Sequence, residues 1–393
     1  MAASAPLVGN WNYPTSIRFG AGRIRELADA CKALGIKRPL LVTDPGLARL
    51  PMISSAVEQC RAAGLGVAIF SEVKGNPTEH NVADGLAALQ AGQHDGVIAF
   101  GGGSALEVGK VVAFMAGQTR PMWDFEDNGD WWTRADPAGI LPIVAVPTTA
   151  GTGSEVGRAG VISQHGTHTK KVIFHPLMLP GVVISDPELS VGLPANLTAW
   201  TGMDALAHCL EAYCAKGFHP MADGIALEGI ALVNRYLQRA VSNGTDLEAR
   251  GGMLAAASMG AAAFQKGLGA IHALSHPVGA LYDSHHGLTN AIFMPYVMAF
   301  NRPAIAAKCE LIARYLGLPE PSFEALFRWM IELRATLKIP HTLRTIVADD
   351  SRFSELAQMA VVDPTAGRNP LELSETDCLE LYRQSFDGTV TKS

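Results

Sequence analysis

The first half of the chain alternates short apolar runs with stretches of helical composition. Pro39-Leu-Leu-Val-Thr43, Gly66-Val-Ala-Ile-Phe70, Gly96-Val-Ile-Ala-Phe100 and Ile140-Leu-Pro-Ile-Val-Ala-Val146 read as buried strands, with helical segments at 52–63 and 81–91 between them. Strand–helix alternation at this spacing predicts an α/β, Rossmann-like domain: a parallel sheet with helices on both faces. Ligands of such sheets bind beyond the carboxyl ends of the strands. Asp44, Asn76, the Gly101–Gly103 loop and Thr148-Thr149 each follow directly or closely after one of the runs. From about Pro194 the character changes to Ala, Leu and Met at helical spacing, with hardly any strand signal. The change falls near residues 185–195. The expected organisation is therefore a Rossmann-like domain over 1–188 and an all-α helical domain over 189–393, with a cleft between them as the default ligand site.

Composition narrows the function classes. The chain has 393 residues, room for two domains, and is 48% apolar and 17% charged. A formal net charge of -6 argues against a nucleic acid or an anionic membrane as partner, since either would want a basic face. No apolar run approaches the roughly 20 residues that span a bilayer. The start, MAASAPLVGNW, lacks a basic stretch followed by an apolar one, so no secretory signal is read. Six cysteines form no C-x-x-C pair and are expected as reduced thiols of a cytoplasmic protein.

The stretch Ala99-Phe-Gly-Gly-Gly-Ser-Ala-Leu-Glu-Val-Gly-Lys110 closes a strand and opens a helix. Glycines at such a junction let backbone N–H groups approach an anion, and the helix dipole favours negative charge there. Five residues separate Gly103 from Gly109 and Val111 follows Lys110, so this is not a Walker loop. Leu106 stands where the third glycine of G-x-G-x-x-G would be. The loop suits a dinucleotide or a phosphate, not an ATPase.

Two further stretches carry metal chemistry. In Gly202-Met-Asp-Ala-Leu-Ala-His208, Asp204 and His208 stand at i and i+4, on one helix face and one turn apart. The window from Ile271 to Gly287 then holds four of the chain's twelve histidines, His272, His276, His285 and His286. One carboxylate and three imidazoles make a set suited to a divalent first-row metal such as iron or zinc. Spacing leaves open which three histidines take part.

These residues resemble the two signatures of iron-containing (group III) alcohol dehydrogenases. Pro147-Thr-Thr-Ala-Gly-Thr-Gly-Ser-Glu-Val156 and Gly101-Gly-Gly-Ser104 resemble the cofactor segments of the same family. So do Tyr13-Pro-Thr, Phe19-Gly-Ala-Gly22 and Asp186-Pro-Glu-Leu189. The likeness runs from about residue 11 to beyond 300; past about 310 only a helical tail is read. It implies Fe²⁺, with Zn²⁺ as the other fitting ion, held by Asp204, His208, His272 and His286. His286 is preferred to His285 because the family's ligand immediately precedes a glycine. His276 matches a family histidine beside nicotinamide and substrate that does not bind metal, and is the candidate for proton relay. NAD is implied as cofactor, with Gly102, Gly103 and Ser104 on the pyrophosphate and Thr148, Thr149 and Thr152 lining it. Asn76, Val161 and Lys171 match further contacts, Lys170 being the neighbouring alternative to Lys171. Asp44 matches the acid that accepts from the ribose hydroxyls and repels a 2′-phosphate, although Thr43-Asp-Pro-Gly46 also suits a plain turn. Three departures stand out: Glu107 replaces the usual Asp, and Gly157 and Gly109 replace residues that are often Thr and Ala.

The activity implied is hydride transfer between NAD and a small primary alcohol or diol, with its aldehyde as the other partner. A lyase of the dehydroquinate synthase type shares fold, NAD and metal, but would want clustered cations near the metal. Between Asp204 and His286 there are only Lys216, Arg235, Arg239, Arg250 and Lys266. A non-catalytic metal or nucleotide-binding protein is the third reading. Trp123-Asp-Phe-Glu-Asp-Asn-Gly-Asp-Trp-Trp132 suits either the lining of the pocket or an exposed loop, and the loop is the preferred reading. A homodimer or larger homo-oligomer is what the family implies.

Overall fold

The structure, a computed structural model, describes residues 9–11, 15–166 and 169–390. Tyr13 and Pro14 of the N-terminal motif lie outside the described residues. The chain divides into two compact units. One runs to Thr149 and resumes from Gly153 to Leu193; the other comprises Ala150–Thr152 and everything from Pro194.

In the first unit, β1 (Gly9–Trp11), β2 (Ser16–Phe19), β3 (Pro39–Val42), β4 (Ala68–Phe70), β5 (Gly96–Gly101) and β6 (Ile143–Pro147) precede a hairpin. Strands β7 (Ala159–Gln164) and β8 (Thr169–Phe174) form that hairpin, and β9 (Val182–Ser185) closes the series. The main sheet has the order β1-β2-β9-β6-β5-β3-β4, parallel throughout except for the pairing of β1 with β2. Helices α1 (Leu27–Ala33), α2 (Pro51–Ala62), α3 (Glu79–Ala91) and α4 (Gly103–Met115) lie between the strands. Strands β5 and β6 are buried along their whole length, which is why they are apolar without alternation. Ile98, Phe100, Val144 and Val146 join Leu27, Cys31, Ile53 and Val57 of α1 and α2 in one core. The alternate residues Val97 and Ala99 face α4, where Gly109 lets helix and strand approach closely.

The β7–β8 hairpin, a separate two-stranded sheet, carries half-exposed residues such as Lys170 and Lys171 and offers no apolar run to read. The segment from Trp123 to Trp132 is the exposed loop expected only at Asp127 to Asp130. Phe125 is fully buried, edge-on to Phe114 at 5.0 Å, and the Asp127 amide donates to the Val172 carbonyl at 2.7 Å, fastening the segment to the hairpin. One buried aromatic side chain outweighs the acidic residues around it.

The second unit is helical, with no strand among its described residues. Helices α5 (Ala195–Cys214), α6 (Pro220–Ser242), α7 (Leu247–Ala263), α8 (Ala270–Tyr282), α9 (His286–Tyr315), α10 (Phe323–Thr336), α11 (Phe353–Val361) and α12 (Glu375–Asp387) share one apolar core. Helix α5 lies at its middle: fifteen of its twenty residues are buried. No described helix is long and apolar enough to cross a membrane.

Candidate active site

Helix α5 carries Asp204 and His208 one turn apart on one face. His272 sits in the first turn of α8, and His286 is the first residue of α9. One ligand atom from each of these four residues lies within 4.8 Å of the other three. His286 Nε2 is 3.6 Å and His272 Nε2 is 3.9 Å from Asp204 Oδ1, and the His208 ring stacks on His272 at 4.7 Å. Metal–ligand bonds of about 2.0–2.2 Å set tetrahedral donors about 3.4 Å apart, so only small inward movements close the four around one ion. Gly287 makes the approach possible: a Cβ there would stand 2.3 Å from the Trp200 carbonyl oxygen and 3.1 Å from Asp204 Cβ. The neighbouring histidine, His285, has another task. It is the N-cap of α9, its Nδ1 accepts from the Leu288 amide at 3.4 Å, and its ring packs on Trp200.

The electrostatics of the cluster suit a cation. Asp204, His208 and His272 are buried. Burial pushes His208 down to about 4, partly offset by Asp204, so it is a neutral imidazole at pH 7 as a ligand must be. Burial alone would lower His272, but the Glu211 and Asp204 carboxylates outweigh it and raise its affinity for positive charge. Asn290 Nδ2 lies 2.7 Å from Asp204 Oδ1 and 3.1 Å from both His272 Nε2 and His286 Nε2. One amide nitrogen thus faces three polar atoms of the cluster at once, and Asn290 Oδ1 is buried without a hydrogen bond. The convergence of one carboxylate and three imidazoles fits a divalent metal.

His276 stands one turn beyond His272 on α8 and stacks on His286 at 5.4 Å. Its Nδ1 is 2.8 Å from Asp363 Oδ2. Asp363 is in turn fixed through Oδ1, which accepts from the Thr365 amide at 2.9 Å and its hydroxyl at 2.6 Å. Burial would raise the Asp363 carboxyl, but His276 and Thr365 outweigh it and hold it below the usual range, so it is ionised. Asp363, Asn290 and Glu211 were not singled out from sequence. Glu211 and Asn290 had a signal: they stand at i+3 from His208 and i+4 from His286. Asp363 had none, since only folding of the tail brings it to α8.

In the first unit, four of the predicted cofactor segments meet at the carboxyl ends of β3, β5 and β6. The Thr148 amide donates to the Gly101 carbonyl at 3.0 Å, and Ser104 Oγ donates to the Gly75 carbonyl at 3.0 Å, beside Asn76. A Cβ on Gly102 would sit 3.4 Å from the Thr149 side chain. Gly101 has φ 149, and a Cβ there would stand 2.8 Å from Ala105 Cβ, so the tight turn needs glycine. Gly102 caps α4, leaving the first-turn amides of Gly103 and Ser104 outside the helix's own ladder, as an anion site requires. Asp44 accepts from the Gly46 and Leu47 amides through Oδ1 alone, at 2.9 and 3.0 Å, which leaves Oδ2 for a ligand. Val161 lies in β7 opposite Val172. Lys171 is engaged: its Nζ is 2.9 Å from Glu126 Oε2 and 5.6 Å from the Trp123 ring centre. Thr152 belongs to the short stretch of the second unit, next to Gly151, whose Cβ would stand 2.9 Å from Thr201 Cβ. Lys110 is buried and donates to the Ser154, Gly157 and Ala159 carbonyls, tying α4 to the segment after β6.

Residues 14–187 match the family model of iron-containing alcohol dehydrogenases, and residues 198–386 match the model of the C-terminal part of the Fe-containing alcohol dehydrogenase family. The chain is 38% identical over 385 residues to 4-hydroxybutyrate dehydrogenase of Cupriavidus necator, covering 95% of this chain and 99% of that one. The crystal structure of a 1,3-propanediol oxidoreductase superposes with TM-score 0.90 at 37% identity, covering 97% of this chain and 98% of that one. Sulfoacetaldehyde reductase of Bifidobacterium kashiwanohense, solved in complex with NAD⁺, superposes with TM-score 0.84 at 28% identity over 98% and 99% of the two chains. The chain belongs to the iron-containing alcohol dehydrogenase family, an NAD- and iron-using family of oxidoreductases acting on CH–OH groups.

Proposed function

We propose that this enzyme interconverts a small primary alcohol or diol and its aldehyde. Asp204, His208, His272 and His286 hold the divalent metal, and His276 relays the proton. The observation that carries the reading is the His276–Asp363 pair standing against the four-donor cluster. When bound, the metal supplies Lewis-acid polarisation of the substrate oxygen, and NAD accepts the hydride. Asp363, an acceptor only, keeps the His276 proton on Nδ1 and leaves the Nε2 lone pair to take the proton that the alcohol loses. The charge gained by the ring is balanced by a carboxylate 2.8 Å away. In the first unit, the amides of Gly103 and Ser104 receive the pyrophosphate. Thr148, Thr149, Asn76 and Val161 line the cofactor there, and Thr152 is a further contact to it. Asp44 Oδ2 receives the ribose hydroxyls and disfavours NADP. Lys171 reaches the cofactor as part of its ion pair with Glu126.

Nothing supports the lyase alternative. Lys266 is buried against Asp223 and the Tyr213 carbonyl, and Arg250 is buried against Thr198 Oγ1, so neither serves a phosphate substrate. The six cysteines are buried free thiols, as suits a reducing, cytoplasmic compartment. Phe218 and Met221, exposed at 93% and 60%, offer apolar surface to a second subunit, in keeping with a homo-oligomer.

The test follows NADH formation by protein reloaded with Fe²⁺ or Zn²⁺ without oxygen. The panel holds short alcohols, 1,3-propanediol and 4-hydroxybutyrate, with NAD and NADP in separate runs and His272→Ala as control. Metal-dependent turnover that prefers NAD is expected. Silence across the panel with metal and NAD bound would overturn the substrate reading, and turnover by His272→Ala would overturn the ligand set.

A further inference from the structure

The face of α5 that carries Asp204 and His208 continues to a third polar residue, Glu211, which is 6% exposed. A carboxylate is expensive to bury unless its oxygens are used, and both are. Oε1 accepts from the Ile271 amide at 2.7 Å, and Oε2 lies 2.5 Å from His272 Nδ1. The neighbouring amide at the start of α8, that of Ala270, donates to Asn369 Oδ1 at 3.1 Å. Asn369 is itself locked to Asn301 by two amide hydrogen bonds of 2.8 and 2.9 Å. Two side chains from distant parts of the chain thus cap α8, but only Glu211 also touches a histidine of the metal cluster.

We propose that Glu211 is a positioning residue for the metal, acting through His272. A neutral imidazole has one donor and one acceptor nitrogen, and an ionised carboxylate accepts only. The contact with Glu211 therefore places the ring proton on Nδ1 and turns the Nε2 lone pair toward Asp204 and His286. The same contact sets a second carboxylate against His272, on the ring nitrogen opposite the one that faces Asp204. Outer partners of this kind typically change metal affinity by about 10–100-fold. This inference rests on the ligand set proposed above.

Glu211→Gln separates a role in tautomer control from a role as helix cap. Glutamine retains one acceptor for the Ile271 amide, but then presents N–H groups to His272 Nδ1. Two donors cannot face each other, so the ring proton moves to Nε2, the nitrogen meant for the metal. The experiment titrates chelator-stripped full-length protein with Zn²⁺ against a chromophoric chelator, and with Co²⁺, whose visible spectrum reports the ligand field. Glu211→Gln is expected to lower metal affinity at least tenfold and to change the Co²⁺ spectrum. Glu211→Asp, shorter but still an acceptor only, is expected to fall between wild type and Gln. Asn369→Ala, which removes the other cap, is expected to lower the melting temperature of the metal-free protein and leave metal affinity within about threefold. Affinity of Glu211→Gln within threefold of wild type would overturn the proposal. So would an Asn369→Ala loss as large as that of the Glu211 variants, which remains decisive should Glu211→Gln not fold. Wild-type protein that takes up no metal would instead sink the ligand set itself.

Discussion

Gly109 stands on α4 against β5, and the neighbouring strand leaves no room for a side chain there. A methyl carbon at 109 would lie 2.7 Å from Ala99 Cβ, 3.2 Å from Ala99 Cα and 3.5 Å from Val97 Cγ1. Carbon atoms rest about 3.5–4.0 Å apart, so Gly109→Ala must displace α4 from β5 by on the order of 1 Å. Overpacking of this kind costs about 1–3 kcal/mol. Both clashing atoms are fixed to backbone and fully buried, which puts the cost in the upper part of that range. Replacing a helical glycine by alanine offsets about 1 kcal/mol. The net expectation is a loss of about 1–2 kcal/mol, read as a melting temperature lower by about 2–8 °C. Calorimetry and urea unfolding would measure it. Because α4 carries the Gly102–Ser104 loop at its start, KM for NAD should rise while kcat changes little. Ala99→Gly removes the opposing methyl, so the double variant should be more stable than Gly109→Ala alone, with a coupling energy above about 1 kcal/mol. A Gly109→Ala protein as stable as wild type, or a double variant no better than the single, would refute the reasoning.

Other outcomes follow from the same structure. Asp44→Asn keeps the acceptor that the Gly46 and Leu47 amides use and removes the charge. The ratio of kcat/KM for NADP to that for NAD should therefore rise about tenfold, or about 1.4 kcal/mol, without loss of stability; an unchanged ratio would leave Asp44 a turn residue only. Asp363→Asn should lower kcat by about tenfold or more with Fe²⁺ content unchanged. The Asp363 carboxyl is held below its unfolded value, so the stability it contributes is present above about pH 4 and is lost as pH falls through the folded value. Acid unfolding curves of wild type should accordingly be steeper below pH 4 than those of Asp363→Asn. Gly287→Ala drives a methyl to 2.3 Å from the Trp200 carbonyl oxygen, which should part α9 from α5 and lower the bound metal per chain by elemental analysis.

How much of this could be read from the chain depends on how local each cause is. Strands β3, β5 and β6 declare themselves because both of their faces are covered, which makes them apolar along their length. Hairpin β7–β8 is half exposed, so its pattern resembles a polar loop. Asp204 and His208 are legible because one helical turn fixes their relation. Spacing alone leaves His285 and His286 open, and only the resemblance prefers His286; the reason lies at the start of α9, where the first of the pair caps the helix and the second enters the cluster. The tail beyond residue 310 was silent for a different reason. Asp363, Asn369 and Tyr382 act on α8 across 87, 99 and 108 residues of chain, at His276, Ala270 and the Leu274 carbonyl. Such contacts leave no periodicity behind them.

The order of strands in the main sheet also bears on how the protein is made. Strand β2 pairs Ser16 with Val182 and β6 pairs Val144 with Val182, so β9 is the slat that joins the N-terminal edge to the rest. On a chain emerging from the ribosome, β2 and β6 each wait with an open ladder until residues 182–185 are synthesised. Unpaired edges of this kind recruit other chains, and sequence-distant pairing is slow to form. Translation pauses upstream of β9 would therefore lengthen the interval in which nascent chains cross-pair, while pauses after it would be harmless to this sheet.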